Sequence, residues 1–338
     1  MKTTAEQFQA DIEELAHDLV RAYGLTFTAT GQTADDKVLY RWMDYRLRHI
    51  ATQPREVKKS SRFPVPNLPA EIKQALSEIE ARFANGEDVN PYLSKTTIGN
   101  DISSSKSQRR TDGLWADWRI HHIHLTTAPV APGQRFSARS DWLLFVMVYD
   151  DTVAFIDVRS HNESDLWTQD DLLKTFIDSW PEQAEPYRIN GMRVVSGPKS
   201  SNDIKLLRNA GVTVPVEHKG EHYFGLGGGV TSAVTSTAVS MACIEVMRSS
   251  RHLALWLDAP DNPIRLDFNQ LGVANPEFCL AVEPSSGLVI AERSKADRPW
   301  ALREFDAQGR TTSFGTLQHR LLPAWAIPTL IAHLTPSP

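Results

Sequence analysis

Cysteine is almost missing from this chain: Cys243 and Cys279 are the only two in 338 residues. They form neither a CxxC pair nor a zinc-ligand spacing, which argues against a disulfide framework and a cysteine-based metal site. Both read as small core hydrophobes. Long apolar runs are also lacking. No stretch of about 18 uncharged apolar residues occurs, so there is no candidate membrane span and no membrane partner is expected. The opening MKTTAEQFQADIEELAHDL is acidic and amphipathic without a signal-peptide core, and the expected location is cytoplasmic. Surplus positive charge is absent as well. The 36 Lys and Arg against 41 Asp and Glu leave a net charge of -5, unlike a protein that coats nucleic acid non-specifically, although local basic runs can still steer an anionic substrate. P-loop, GxSxG, HExxH and kinase signatures are all missing, which removes the commonest hydrolases and transferases readable from a motif. What remains is ordinary globular composition, with 41% hydrophobic and 23% charged residues and nine tryptophans.

The length suits two domains, or one with a large elaboration. Phe8, Ile12, Leu15, Leu19 and Tyr23 lie on one stripe and predict a helix over 4–23, with Thr4 and Gln7 spaced as a capping box. A second helix is expected over 35–50. A third follows Pro69 and stops at Gly86. Between them, 53–62 and 103–110 are polar and basic and read as exposed loops, either solvated linkers or phosphate-contacting segments. From Trp118 the texture changes to strands over 118–126, 142–149 and 152–160, the last two joined by a tight turn at Asp150 and Asp151. A helix over 170–180 closes this antiparallel meander. Residues 232–248 are ambiguous between helix and strand, and hairpins are expected over 278–292 and 300–314 before a final helix. The class is therefore α+β: a helical amino-terminal region over 1–100, a β-meander domain over 101–185 and a β-rich carboxyl-terminal region over 186–338.

Three of the eleven histidines crowd into Ile120-His121-His122-Ile123-His124. Alternate residues of a strand share a face, so His122 and His124 point one way with Cα atoms about 6.6 Å apart, a gap that takes one phosphate or one ion. By the same rule Asp157, Arg159 and His161 share a face at the end of the third strand. If the two polar faces coincide, these five residues converge. The chemistry they suit best is metal-independent RNA cleavage: one imidazole deprotonates the 2′-hydroxyl, a second cationic group protonates the leaving oxygen, and arginine stabilises the phosphate. His122, His124, Asp157, Arg159 and His161 are the catalytic candidates, with Arg109, Arg110 and Arg139 as candidates for substrate binding. The alternatives are that the histidines satisfy neighbouring backbone groups, or that the HxH holds a metal. The HxH has no glutamate a few residues on, as a cupin-like site would want, and no metal or cofactor is expected. The run Gly225-Leu226-Gly227-Gly228-Gly229 lacks both P-loop and GxGxxG spacing, and reads as an anion nest or a tightly turned connection.

The line WRIHHIHL followed by DWLLFVMVYDDTVAFIDVRSHN resembles, over 118–180, the RelE/ParE-type toxin fold. That resemblance implies RNA cleavage without metal by scattered basic residues, histidine or tyrosine, with an antitoxin or other protein as a possible partner and RNA as substrate. The family has no fixed catalytic motif, so it assigns no residue here, and its members are small and strongly basic. The phrase DGLWADWRIHHIHL with the later YFGLGGG is similar to an uncharacterised family of bacterial and mobile-element proteins, which implies context but no activity. The expected function is a toxin- or defence-type ribonuclease or RNA-processing effector. The alternatives are a non-catalytic interaction module of a bacterial assembly and an HxH metal enzyme.

Overall fold

A computed structural model describes residues 2–31, 37–63, 68–168, 170–191, 200–295 and 298–335. The chain is mixed α+β and divides into two compact units, a terminal unit of residues 1–29, 37–43 and 239–338 and a central unit of residues 30–36 and 44–238. The expected divisions at 100 and 185 both fall inside the central unit. The expected helix start at Asp35 lies outside the described residues.

The amino terminus is helical, as expected, in α1 (Thr4–Ala22), α2 (Val38–Arg48) and α3 (Ala70–Asn85). The capping box of α1 is set one residue earlier than the spacing predicts, with Thr3 and Glu6 bonding reciprocally. The central unit then adds α4 (Thr96–Gly99), α5 (Gly113–Trp118), α6 (Asp171–Ser179), α7 (Pro181–Ala184) and α8 (Ser201–Asn209). Its sheet has the order β1-β4-β3-β2, from β1 (Glu56–Lys59), β2 (His121–His124), β3 (Trp142–Val148) and β4 (Thr152–Ser160). The meander β2-β3-β4 is antiparallel, and β1 joins β4 in parallel. A strand therefore occupies part of the basic segment expected to be a loop. Its polar residues suit an edge, where they face water beside a single neighbour.

Both faces of the sheet are covered, which explains the unbroken apolar run of β3. Ile72, Ile79 and Phe83 of α3 pack under Leu144, Val146 and Phe155. On the other face Leu172, Leu173 and Phe176 of α6 pack over Leu143, Phe145 and Ile156. The strand expected from Trp118 begins only at His121. Asp112 caps a short helix by accepting from the amides of Leu114 and Trp115, and Arg119 ends it in the left-handed region at φ 62°. A single left-handed residue costs about 1–2 kcal/mol, which here reverses the chain from α5 into β2.

The glycine run is close-packed. A Cβ on Gly225 would collide with the Asp117 carbonyl, and one on Gly227 with that of Ala116, so the chain crosses the end of α5 where only hydrogen fits. The Gly227 amide donates to the Asp117 carbonyl at 3.0 Å. The short hairpin β5 (Val216–His218) and β6 (Glu221–Tyr223) precedes this crossing.

The terminal unit packs α1 with α9 (Thr237–Asp258), α10 (Pro263–Gln270), the hairpin β7 (Phe278–Glu283) and β8 (Gly287–Glu292), α11 (Ser313–Leu321) and α12 (Ile327–Leu334). Tyr23, Trp42 and Trp325 form an aromatic cluster with ring centroids 5.5–5.9 Å apart. The ambiguous segment 232–248 is largely helix, since its small residues pack closely in α9. The first expected carboxyl-terminal hairpin forms as β7 and β8. The second is reduced to a bridge between Phe305 and Thr311, because Thr312 accepts from the Gly315 amide and starts α11. The region 186–338 thus holds two hairpins among its described residues, with more of them in helices than in strands.

Candidate functional site

A cleft of about 550 Å³ opens in the central unit at the end of β2, within the usual range of about 300–1,000 Å³ for small-molecule sites. His122, His124 and His161 all line it. The parity argument accounts for the first two, which point from β2 toward the α6 side of the sheet. His161 lies just past β4, where its amide donates to the Asp141 carbonyl at 2.6 Å. The rings of His122 and His124 are 6.2 Å apart, and those of His124 and His161 stack at 6.4 Å. Trp167 touches the cluster edge-on, 4.8 Å from the His122 ring and 5.7 Å from His161.

Behind His122 stands Asp112, with Oδ2 3.6 Å from the imidazole Nδ1. The same oxygen lies 3.7 Å from Arg48, which also bonds Asp44 at 3.3 Å and the Thr96 hydroxyl at 3.0 Å. Thr111 donates to the other oxygen of Asp44 at 2.8 Å. Burial works to raise the pKa of Asp112, but His122, Arg48 and the Trp115 amide overcome it and hold the carboxyl below its usual range. Burial pushes His122 down, against the pull of Asp112, so the imidazole is neutral at pH 7. A neutral ring with Nδ1–H toward a carboxylate keeps the Nε2 lone pair for another task.

Burial, with His122 beside it, brings His124 down to about 4. Its Nδ1 donates to the Ser140 carbonyl at 3.4 Å in the tautomer that suits a carbonyl partner. His121 faces the opposite side of the sheet and is brought by burial, then by Arg119, to about 3.

Asp157 and Arg159 share the histidines' side of the sheet but not their cleft. The register aligns His122 with Phe145 and Asp157, and His124 with Leu143 and Arg159. One strand intervenes, so the two sets are separated by about 9–10 Å, two strand spacings. Arg159 bonds Asp157 at 2.9 Å and also Asp171, and it lies 3.5 Å from Glu163, fastening β4 to the start of α6. Of the three substrate-binding candidates, Arg139 lines the cleft and is exposed. Arg109 is exposed on a 3-10 turn outside the cleft lining. Arg110 is drawn into the fold, donating to the Ser104 and Ala233 carbonyls at 2.8 and 2.6 Å.

No local sequence pattern singles out Asp112, Arg48, Trp167 or Lys205 as site residues, the last an exposed cation on α8 that lines the cleft. Asp112 carried a readable helix-capping signal before Gly113-Leu114-Trp115, but nothing local placed it against His122. Trp167 is held from α8 by Arg208, which donates to its carbonyl at 2.8 Å, bonds Asp117 at 2.9 Å and lies over the Trp118 ring. Among the described residues no group of three His, Cys, Asp or Glu side chains is gathered as a metal site. No helix among them is long and apolar enough to cross a membrane. Comparison with family models, curated proteins and solved structures finds no match.

Proposed function

We propose that this cleft cleaves RNA by metal-independent acid/base catalysis, the chemistry that the RelE/ParE-like texture of residues 118–180 implies. The observation that carries the reading is one cleft in which a neutral imidazole, His122, is backed by the Asp112 carboxylate and stands near a second imidazole, His161, with Arg139 and Lys205 on the walls. His122 accepts the proton of a ribose 2′-hydroxyl. The 2′-oxygen attacks the adjacent phosphorus, the bond to the 5′-oxygen breaks, and His161, the least enclosed of the three, gives its proton to that leaving oxygen. The products are a 2′,3′-cyclic phosphate and a free 5′-hydroxyl. Arg139 and Lys205 balance the charge gathering on the phosphate. His124 keeps His161 in place by stacking, and Trp167 on the cleft wall gives an aromatic surface for a nucleobase.

The test is cleavage of purified tRNA in EDTA by the full chain and by H122A and H161A. Loss of about 10²–10⁴ in rate in each variant, with unchanged melting, supports the assignment. An inert wild-type protein, or two fully active variants, ends it.

A further inference from the structure

The terminal unit carries a second concavity, of about 720 Å³, between α1, the beginning of α2 and α9. Its floor is apolar and already buried, formed by Ile12, Val38 and Cys243. Its α9 wall is also apolar but stands in water: Ile244 is 54% exposed and Leu255 71%, with Met247 between them. The core side of α9 is occupied by other residues, Val239, Val246, Leu253 and Leu257, so the outer stripe is not part of the unit's own core. Large apolar side chains aligned on one exposed groove mark a place where another molecule packs.

The charge around the groove says what that molecule is like. Lys37, Arg248 and Arg251 line it, and none of the three has an ion pair among the described residues. Glu13 is the one carboxylate among the described residues of the lining, while the neighbouring Glu245 is taken by Arg320 at 2.9 Å. This local positive rim belongs to a chain of net charge -5. An apolar stripe flanked by cations that make no ion pair among the described residues is complementary to an amphipathic helix whose polar face is acidic. A neutral or basic helix would cover the cations without compensating them. The stripe from Ile244 to Leu255 is about 16 Å long at 1.5 Å per residue, the length of three helical turns.

We propose that this groove binds an acidic amphipathic helix of a partner protein, with apolar side chains against Ile244, Met247 and Leu255 and carboxylates toward Lys37, Arg248 and Arg251. The binding is separate from the catalytic chemistry, since every lining residue belongs to the terminal unit.

The probe is a labelled synthetic helix of roughly four turns, about 15 residues, with leucines at i, i+3, i+7 and i+11 and glutamates on the other face. Its fluorescence anisotropy is followed on titration with the full chain. Saturable binding is expected, weakened about tenfold or more in the R248E/R251E double variant and in I244D, and weakened by added salt. The substituted side chains are exposed, and circular dichroism confirms that the variants remain folded. Binding no tighter than that of a scrambled peptide, equal binding of a lysine-for-glutamate peptide, or undiminished binding by R248E/R251E overturns the proposal. Concentration-dependent dimerisation of the chain that I244D abolishes would also overturn it, by giving the groove to a second copy.

Discussion

Replacing Asp112 by asparagine separates the two tasks of one carboxyl group. Oδ1 caps α5 through the Leu114 and Trp115 amides, and an asparagine oxygen performs that service nearly as well. Oδ2 faces His122 and Arg48 at 3.6 and 3.7 Å, where only a carboxylate supplies charge. At an effective dielectric constant of about 20 the gross attraction of two unit charges at such distances is about 4.5 kcal/mol. Arg48 retains Asp44 at 3.3 Å, and losing the buried negative charge removes its own desolvation penalty, so the net cost to the fold is on the order of 1–2 kcal/mol. The effect on catalysis is larger, because the negative charge beside the His122 ring is gone: a loss of about 10²–10⁴ in RNA cleavage is expected, that of a disabled general base. The pH profile adds a signature that a structural role would not produce. Asp112 works against burial to hold the His122 pKa up, so in D112N the imidazole titrates lower and the acidic limb of the rate profile moves to lower pH. Initial rates on tRNA in EDTA across the pH range, beside thermal melting, measure all three quantities. Wild-type rates with an unmoved acidic limb, or a loss that follows melting alone, would refute the reasoning.

Burial brings His49, His121 and His124 down to about 4, about 3 and about 4, against about 6.5 in an unfolded chain. In that interval the unfolded chain binds protons that the folded one does not. Stability is therefore full above about pH 6.5 and is lost as pH falls toward 4. The urea midpoint should decline over this window, less steeply in H121Q, and a flat midpoint would contradict the buried-neutral assignment. R159A should lower stability by about 2–3 kcal/mol through its lost charged hydrogen bonds, while cleavage per folded molecule stays unchanged; a selective loss of rate would return Arg159 to the chemistry. G225A should lower the melting temperature sharply or prevent accumulation of folded protein, at a cost of about 2–4 kcal/mol, whereas G99A, with open space at its Cβ, should be nearly neutral. Equal melting of the two variants would contradict the close crossing at α5.

Much of the meander was legible because strand parity is a local rule. It placed His122 and His124 on one face of their strand and Asp157, Arg159 and His161 on one face of theirs, and left open whether the two faces coincide. Parity does not report how many strands lie between, and Phe145 and Leu143 separate the two groups. Asp112 escaped notice because its partnership with His122 depends on the left-handed turn at Arg119, a conformation that a non-glycine residue does not advertise. Trp118 alternated plausibly with the strand that follows, and only the cap at Asp112 assigns it to α5. The glycine run looked the same from the sequence whether it cradled an anion or crossed a helix end. The Asp117 and Ala116 carbonyls beneath it decide between these. Residues 232–248 had no clear period, since small side chains at α9 permit close packing without marking a face.

The clasp on α5 sets an order of assembly. Asp112 caps the near end of a six-residue helix whose far end is pinned by residues that come late in the chain: Arg208, 91 positions after Asp117, and then Gly225 and Gly227. A polypeptide emerging amino-terminus first presents its three histidines long before it can complete their backing. Until Arg208 and the residues beyond it have been made and folded over, the imidazoles can share a sheet while α5 lacks the contacts that hold its far end. If the proposed chemistry holds, a chain ending between Lys205 and Arg208 carries every group assigned to the substrate and is nevertheless expected to cleave no RNA, which a truncation series assayed on tRNA measures.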